Sequence, residues 1–572
     1  MLNQAELEDV LPLSPLQEGF LFLTQLDGAG PDVYIIQTVL DLEGAVDSAR
    51  LQTAAQALLN RHPNLRAAFR RTAEGRPVAL IPRRAQLPWR VIDLSGLAPE
   101  AQQAEAERVL NEERGQRFDL AHPPLLRMAL IRLSENRHRL SIANHHILAD
   151  GWCLSIMVKE LSALYASGGD LSVLPPLNPY RSYLAWLAAQ DRVSAEAAWR
   201  TALAGLEAPT LLTGEDWRRG ALMPDKLVAE LPEALTAALA AEARRQGVTM
   251  NTFAQAAWGI LLGRLTGQDD IVFGATTSGR PPELDGVESM IGVFINSLPV
   301  RLKLLRGESV QALLARLQTE QGRLLGHQHL SLLDVQQIAD LGQLFDTLVV
   351  YQNYPFERRR PGEPGIGLGV GEPEIRNSTH YPLTLILTPG ARLSLSLLYR
   401  PDLFSAEDAA ALLGRLQLIL AQLATAPELP VHRLDLLTAA ERHTLLADRN
   451  ATAAAVPGLS LPALLEAQAE AQPDTLAVVF EEQALTYAEL NAQANRLAHA
   501  LNARGVGAES IVALLLPRSL ELVVGLWAAL KAGAGYLPLD PGHPQARLAT
   551  MLDDARPALV LATAASLAAL PP

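Results

Sequence analysis

A chain of 572 residues with 49% apolar side chains and a formal charge of −14 is long enough for three or four compact units. It is too acidic overall for a nucleic-acid partner, which needs a basic face. One cysteine, Cys153, excludes an internal disulfide and fits a cytosolic protein.

The first residues are acidic and lack a secretory-signal pattern. Residues 9–23, DVLPLSPLQEGFLFL, place Ser14-Pro15 at a helix start with Glu18 near the first turn. YIIQTVLDLEG at 34–44 reads as a strand into a turn, and SARLQTAAQALLN at 48–60 as an amphipathic helix. RHPNLRAAF at 61–69 follows it, with a polar Arg-His and a proline breaker. LLRMALIRL (125–133) and HRLSIAN (138–144) form two strands about the turn cluster SENRH at 134–138. In the second strand Leu140 and Ile142 alternate with polar neighbours, the pattern of a half-buried strand. Folding this hairpin sets Arg127 opposite roughly position 145, within reach of Asp150. Strands and helices mix without strict alternation, which predicts an open, mixed sheet with helices on a face.

The stretch 144–152, NHHILADGW, is the most informative in the chain. Two histidines end a strand, and Asp150-Gly151 makes a turn. Consecutive strand side chains point to opposite faces, so His145 and His146 cannot both line one cavity. That argues against a zinc site, which needs three or four converging ligands, and for a division of labour. One imidazole faces a cavity and the other packs into the scaffold. For a lone histidine, a satisfied core residue is the commoner case; for two histidines and an Asp-Gly turn after a strand, function is the better reading. Asp150 reads as structural, with its charge held by Arg127, because a buried Arg–Asp pair adds little net stability but fixes a loop. Cys153 is a candidate nucleophile by proximity, yet a small buried thiol is the more common role.

NPYRSYLAWLAAQD at 178–191 carries Tyr180, Tyr183 and Trp186 on one helix face, read as packing. Residues 226–279 run strand, helix, helix, strand, which loosely echoes the first half. SGRPPELDGVESMIGVFINSLPVRLKL (278–304) is a loop into a strand. LGQLFDTLVVYQNYP (341–355) precedes an irregular Gly/Pro/Arg run in which Arg358, Arg359 and Arg360 read as a solvated patch. Residues 438–458 read as a helix and then a flexible linker. LTYAELNAQANRLAHAL (485–501) is a strand into an amphipathic helix, and LKAGAGYLPLDP (530–541) a helix end, glycine turn and strand. The most apolar region, 510–530, is broken by Arg518 and Glu521, so no membrane span is expected.

HHILADG matches the HHxxxDG motif of nonribosomal peptide synthetase condensation domains, relatives of chloramphenicol acetyltransferase. The resemblance covers about residues 1–445. SPLQEGFLF resembles the family's first motif, RHPNLRAAF the second, 278–304 the fifth and 341–355 the last. LTYAEL and LKAGAGYLPLDP resemble the first two motifs of adenylation domains.

The resemblance implies an α/β fold with two chloramphenicol-acetyltransferase-like lobes in a V-shaped pseudo-dimer, followed by a partial adenylation subdomain. The implied division is an N-lobe at 1–175, a C-lobe with floor loop and latch at 176–437, a linker at 438–458 and a truncated adenylation segment at 459–572. No Gly-rich Ser/Thr phosphate loop stands in that segment, so adenylate formation is not expected of it. The implied chemistry is peptide-bond formation between donor and acceptor thioesters, without metal or ATP in that step. His146 is the implied channel residue, with the Gly151 N–H orienting the acceptor and His145 supporting the loop. Trp152, Ser14, Asn296 and Ser297 are implied to lie along the substrate channel. The 4′-phosphopantetheine arms belong to upstream donor and downstream acceptor carrier proteins, in a bacterial cytoplasm. SPLQEGFLF, HHILADGW and YQNYP look more like the subtype taking a D-configured donor and an L-configured acceptor. Epimerisation domains share HHxxxDG, and a non-catalytic recruitment module is a third class. The onward run into adenylation motifs favours condensation over the first, and retention of both histidines disfavours the second.

Overall fold

The computed structural model describes residues 6–26, 32–214, 222–353, 369–371, 373–456 and 458–571. The chain divides into two compact units, Met1–Thr444 and Leu445–Pro572. Arg358, Arg359 and Arg360, with most of the Gly/Pro-rich run around them, lie outside the described residues.

The first half of the larger unit contains β1 (Leu7–Leu11), α1 (Pro15–Leu26), β2 (Ile35–Glu43), α2 (Ser48–Arg61), β3 (Ala68–Arg71) and β4 (Pro77–Pro82). It continues with β5 (Trp89–Asp93), α3 (Pro99–Gly115), β6 (Leu126–Ser134), β7 (Arg137–His145) and α4 (Cys153–Ser167). The second half begins with α5 (Tyr180–Ala188), α6 (Arg192–Leu203), β8 (Asp225–Glu230), α7 (Glu233–Gln246), α8 (Met250–Thr266), β9 (Asp270–Thr277) and β10 (Asn296–Lys303). It ends with α9 (Val310–Leu324), α10 (Leu332–Ala339), β11 (Thr347–Tyr351), β12 (Gly369–Val370), β13 (Glu374–Arg376), β14 (Leu383–Thr388), β15 (Ser394–Tyr399) and α11 (Ala406–Thr425).

The larger unit holds two six-stranded mixed sheets. The first runs β12-β2-β7-β6-β5 with β13 also on β2; the second runs β10-β9-β11-β14-β15-β8. Strands β12 and β13 come from the second half of the sequence but pair antiparallel with β2. This crossing ties the two lobes together through backbone hydrogen bonds. A small third sheet runs β1-β4-β3.

Sheet one has two working faces, as the pleat requires. Leu40, Leu42, Leu140 and Ile142 pack with α2 and α4 residues such as Leu51, Leu58 and Leu161. Val39, Ile131 and Leu133 face the other way, against Val109 and Leu110 of α3. In the second lobe α8 is buried along nearly its whole length, from Thr252 to Gly263. Its apolar residues surround the axis, so it must be enclosed; Leu239, Leu313 and Leu413 of α7, α9 and α11 share its core.

The smaller unit contains α12 (Ala439–Leu446) at its boundary, then α13 (Leu461–Ala471), a β16–β17 hairpin (Leu476–Phe480, Gln483–Thr486) and α14 (Tyr487–Asn502). It continues with β18 (Ile511–Leu515), α15 (Leu520–Lys531), β19 (Gly535–Leu539), α16 (Gln545–Ala555) and β20 (Leu559–Ala562). The expected strand-into-helix at LTYAEL is β17 into α14, closed by a capping box between Thr486 and Glu489. LKAGAGYLPLDP is the end of α15, a turn through Gly533 at φ +83°, and β19. Strand β18 lies centrally between β19 and β20, all parallel. Among the described residues no helix is long and apolar enough to cross a membrane.

Candidate active site

Strand β7 ends at His145, and the chain then turns through residues 147–152 into α4. His145 and His146 leave the backbone toward opposite faces. His145 is fully buried. Its Nδ1 accepts the Ile147 N–H at 3.1 Å, so the neutral ring carries its proton on Nε2. That nitrogen lies 3.2 Å from Thr24 Oγ1 and 3.5 Å from Asp32 Oδ2. Burial first, then the nearby His146 and Arg117, hold its pKa down at about 3.

His146 is half-buried and lines a cleft. The cleft walls include Ile36, Thr38, Ile142 and Asn144 of the sheet, Leu154 and Met157 of α4, and Gln352, Ile375 and Asn377 from the second half. The backbone N–H of His146 donates to the Tyr34 carbonyl at 2.8 Å. Its ring packs 4.9 Å from that of Phe20. Nδ1 lies 3.1 Å from the Ala149 carbonyl. A carbonyl only accepts, so Nδ1 carries the proton and Nε2 keeps the lone pair. Burial lowers the pKa of this imidazole from its ordinary value, which keeps the ring neutral near pH 7. Gly151 lines the same cleft, two residues before α4, at the positive end of that helix.

Asp150 is buried. Its Oδ2 accepts the Phe294 N–H at 3.0 Å, and its Oδ1 accepts from the Cys153 thiol at 3.2 Å and from Arg280 at 3.3 Å. Its backbone N–H donates to the Gly292 carbonyl at 3.1 Å. The loop after β7 is thereby stapled to residues 290–294 of the second half. Arg280 is held by the carbonyls of Val287 and Met290 and sits 3.9 Å over the Phe294 ring. Gly279 precedes it at φ +59°, where an added Cβ would fall 1.7 Å from the Phe294 carbonyl oxygen. Only glycine permits that approach.

The expected Arg127–Asp150 pair is therefore corrected. Arg127 pairs in register with Ala143, not with position 145. The pleat sends its side chain to the α3 face, away from the cleft. There it donates to the carbonyls of Glu113 and Gln116, lies 3.3 Å from the Glu113 carboxylate and stacks 4.1 Å over Phe118. Arg280 takes the place expected of Arg127. It lies in the sequence segment 278–304, but nothing in local spacing points it at Asp150.

The four residues expected along the channel lie outside the wall of the His146 cleft. Ser14 is buried, its N–H donating to Gln17 Oε1 at 2.9 Å, while Gln17 Nε2 donates to the Ile147 carbonyl at 2.8 Å. The Ser-x-x-Gln spacing at the α1 start was a legible sign of Gln17. Asn296 is buried and donates to the carbonyls of Gln328 and Leu330, and its Oδ1 accepts from the half-buried Ser297 N–H at 3.0 Å. Trp152 Nε1 donates to the Glu288 carbonyl at 3.0 Å, beneath Arg280. Burial lifts the Cys153 thiol pKa far above its ordinary value, so it is a packed thiol and not a nucleophile. Among the described residues no three His, Cys, Asp or Glu side chains converge as metal ligands.

The family model described as "Condensation domain" matches residues 7–446. The chain belongs to the condensation-domain family. These are acyltransferase-type, amide-forming domains, and part of an "AMP-binding enzyme" match follows at 465–571. Among curated proteins the chain is 32% identical to Tyrocidine synthase 2 of Brevibacillus parabrevis, over 98% of this chain and 16% of that protein. It is 33% identical to Surfactin synthase subunit 3 of Bacillus subtilis (strain 168), over 98% of this chain and 44% of that protein. The chain thus spans less than half the length of these relatives. Among solved structures, holo-AB3403, a four-domain nonribosomal peptide synthetase bound to AMP and glycine, aligns with a TM-score of 0.76 at 20% identity, covering 99% of this chain and 44% of that one. The first condensation domain of the calcium-dependent antibiotic synthetase aligns over 75% of this chain and all of its own, with a TM-score of 0.64 at 24% identity. These two likenesses confirm the fold: two lobes of the condensation-domain type, then an adenylation subdomain fragment.

Proposed function

We propose that this condensation domain joins a donor peptidyl thioester to the amine of an acceptor aminoacyl thioester, both carried on phosphopantetheine arms. The acceptor nitrogen attacks the donor carbonyl carbon. A C–N bond forms, the C–S bond breaks, and the amine proton ends on the departing thiolate. The balance needs no oxidant and no ATP. On this reading residues 1–175 and 176–437 are the two lobes, 438–458 the linker and 459–572 the start of the adenylation domain. The partners are an upstream donor carrier, a downstream acceptor carrier and the remainder of the adenylation domain.

The observation that carries the reading is the tautomer of His146. With Nδ1 fixed on the Ala149 carbonyl, Nε2 offers a lone pair within a cleft formed by both lobes. A neutral imidazole there takes up the amine proton or orients the amine for attack. Holding the two substrates together supplies a large part of the rate on its own. Gly151 offers a backbone N–H at a helix start, suited to the developing oxyanion or the acceptor carbonyl. His145 does not line the cleft and acts as a positioning residue through the Ile147 N–H.

The donor is D-configured and the acceptor L-configured on this reading, supported by the SPLQEGFLF, HHILADGW and YQNYP segments. The test supplies donor and acceptor carriers loaded with matched D- and L-terminated peptides. Amide product with the D-donor in excess is expected. An inverted stereocentre without amide points to epimerisation, and no turnover to a recruitment role. Equal use of the L-donor removes the stereochemical assignment and leaves condensation standing.

A further inference from the structure

We infer that Tyr34 and His380 form a positioning pair that couples the second lobe to the imidazole of His146. Tyr34 is buried just before β2 and touches the site in two ways and the second lobe in a third. Its carbonyl accepts the His146 N–H at 2.8 Å. Its ring packs 4.9 Å from Phe20, which in turn faces the His146 ring at 4.9 Å. Its hydroxyl lies 2.7 Å from His380 Nδ1.

His380 belongs to the return from the crossing strand β13 to β14. Its ring packs 4.1 Å from Tyr381, and Tyr381 stacks 5.8 Å from Phe345 in the second-lobe core. A continuous line of ring contacts and one hydrogen bond therefore runs from that core to His146. The Nδ1–Ala149 bond is one fixed point on the imidazole. The Phe20 face supplies a second, and the Tyr34 ring backs Phe20. With the lobes closed, the ring of His146 is set for reaction; loss of the Tyr34–His380 bond frees Phe20 and lets the imidazole tilt.

This consequence rests on the amide-forming reading of the site, so its test has a readout apart from turnover. Tyr34→Phe keeps the ring and the backbone bond and removes only the hydroxyl. His380→Ala removes the partner, and His380→Asn returns a hydrogen-bonding side chain near the Nδ1 position. The full chain carrying each change, and the Tyr34→Phe/His380→Ala double, would be assayed with both loaded carriers and by ¹⁵N NMR of the His146 ring.

We expect kcat to fall between several-fold and about 100-fold, the range for a misplaced catalytic group. KM for each carrier and the thermal midpoint should stay near wild type. His380→Asn should recover part of the loss, the double variant should be no slower than the worse single, and the His146 signals should move. Wild-type kcat in Tyr34→Phe, additive losses, unmoved His146 signals or unfolding of Tyr34→Phe would each overturn the pairing. If the wild-type chain forms no amide, the reaction reading fails, and the ring signals still decide the pair.

Discussion

Arg280 Nη2 lies 3.3 Å from Asp150 Oδ1, and neither side chain exposes more than 5% of its surface. Arg280 belongs to the segment 278–304 and Asp150 to the loop after β7, 130 positions earlier. Breaking a buried pair leaves an uncompensated charge, at a cost of about 3–5 kcal/mol. Asp150→Asn and Arg280→Met should each lower the thermal midpoint, and the double variant should cost less than the sum. Arg127→Ala should also destabilise, through Glu113 and the end of α3. Its effect should add to that of Asp150→Asn within about 0.5 kcal/mol, as for independent sites. Strong coupling between Arg127 and Asp150 in denaturant titrations would contradict this geometry.

His146→Ala should leave the fold intact and lower kcat by about 10²–10⁴-fold, the usual weight of a positioned acid–base group. Circular dichroism and turnover with both loaded carriers check the two halves. Turnover at the wild-type rate would remove His146 from the chemistry.

The same imidazole sets a pH expectation. Burial lowers the His146 pKa, so its neutral form persists below the ordinary histidine value of about 6.5. The acid limb of kcat/KM should therefore fall below about pH 6.5. An acid limb above that value, traced to His146 by its absence in the alanine variant, would contradict the burial argument.

His145 sets a stability expectation instead. Its folded pKa is about 3, against about 6.5 in an unfolded chain. Between those values the unfolded state binds the proton and the folded state does not. Stability from this residue is thus fully present above about pH 6.5 and declines as pH falls toward 3, by up to about 1.4 kcal/mol per pH unit. His145→Asn should flatten that slope in melting curves taken across the window. An equal slope in the variant would assign the acid sensitivity to other groups.

Cys153 should resist alkylation in the folded protein, because its thiol is buried and hydrogen-bonded and the thiolate is the reactive form. Cys153→Ser should keep amide formation. Fast labelling without denaturant would show the thiol to be exposed.

Much of the scaffold was legible in sequence because its signals are local. Alternation marked β7, Ser14-Pro15 marked the start of α1, and glycine marked the turn into β19. The division of labour between His145 and His146 also followed from sequence, since neighbouring strand residues face opposite ways whatever surrounds them. The partner of Asp150 did not follow. It depends on which face α3 covers and on a loop more than a hundred residues away. The pleat keeps Arg127 on the α3 face whether it pairs with position 143 or 145, and only the packed lobes bring Arg280 to the carboxylate. The pairing of β12 and β13 with β2, and the Tyr34–His380 bond across 346 residues, are likewise contacts between distant segments. Periodicity reports which face of an element is buried, but the element that buries it is chosen only when the chain has closed on itself.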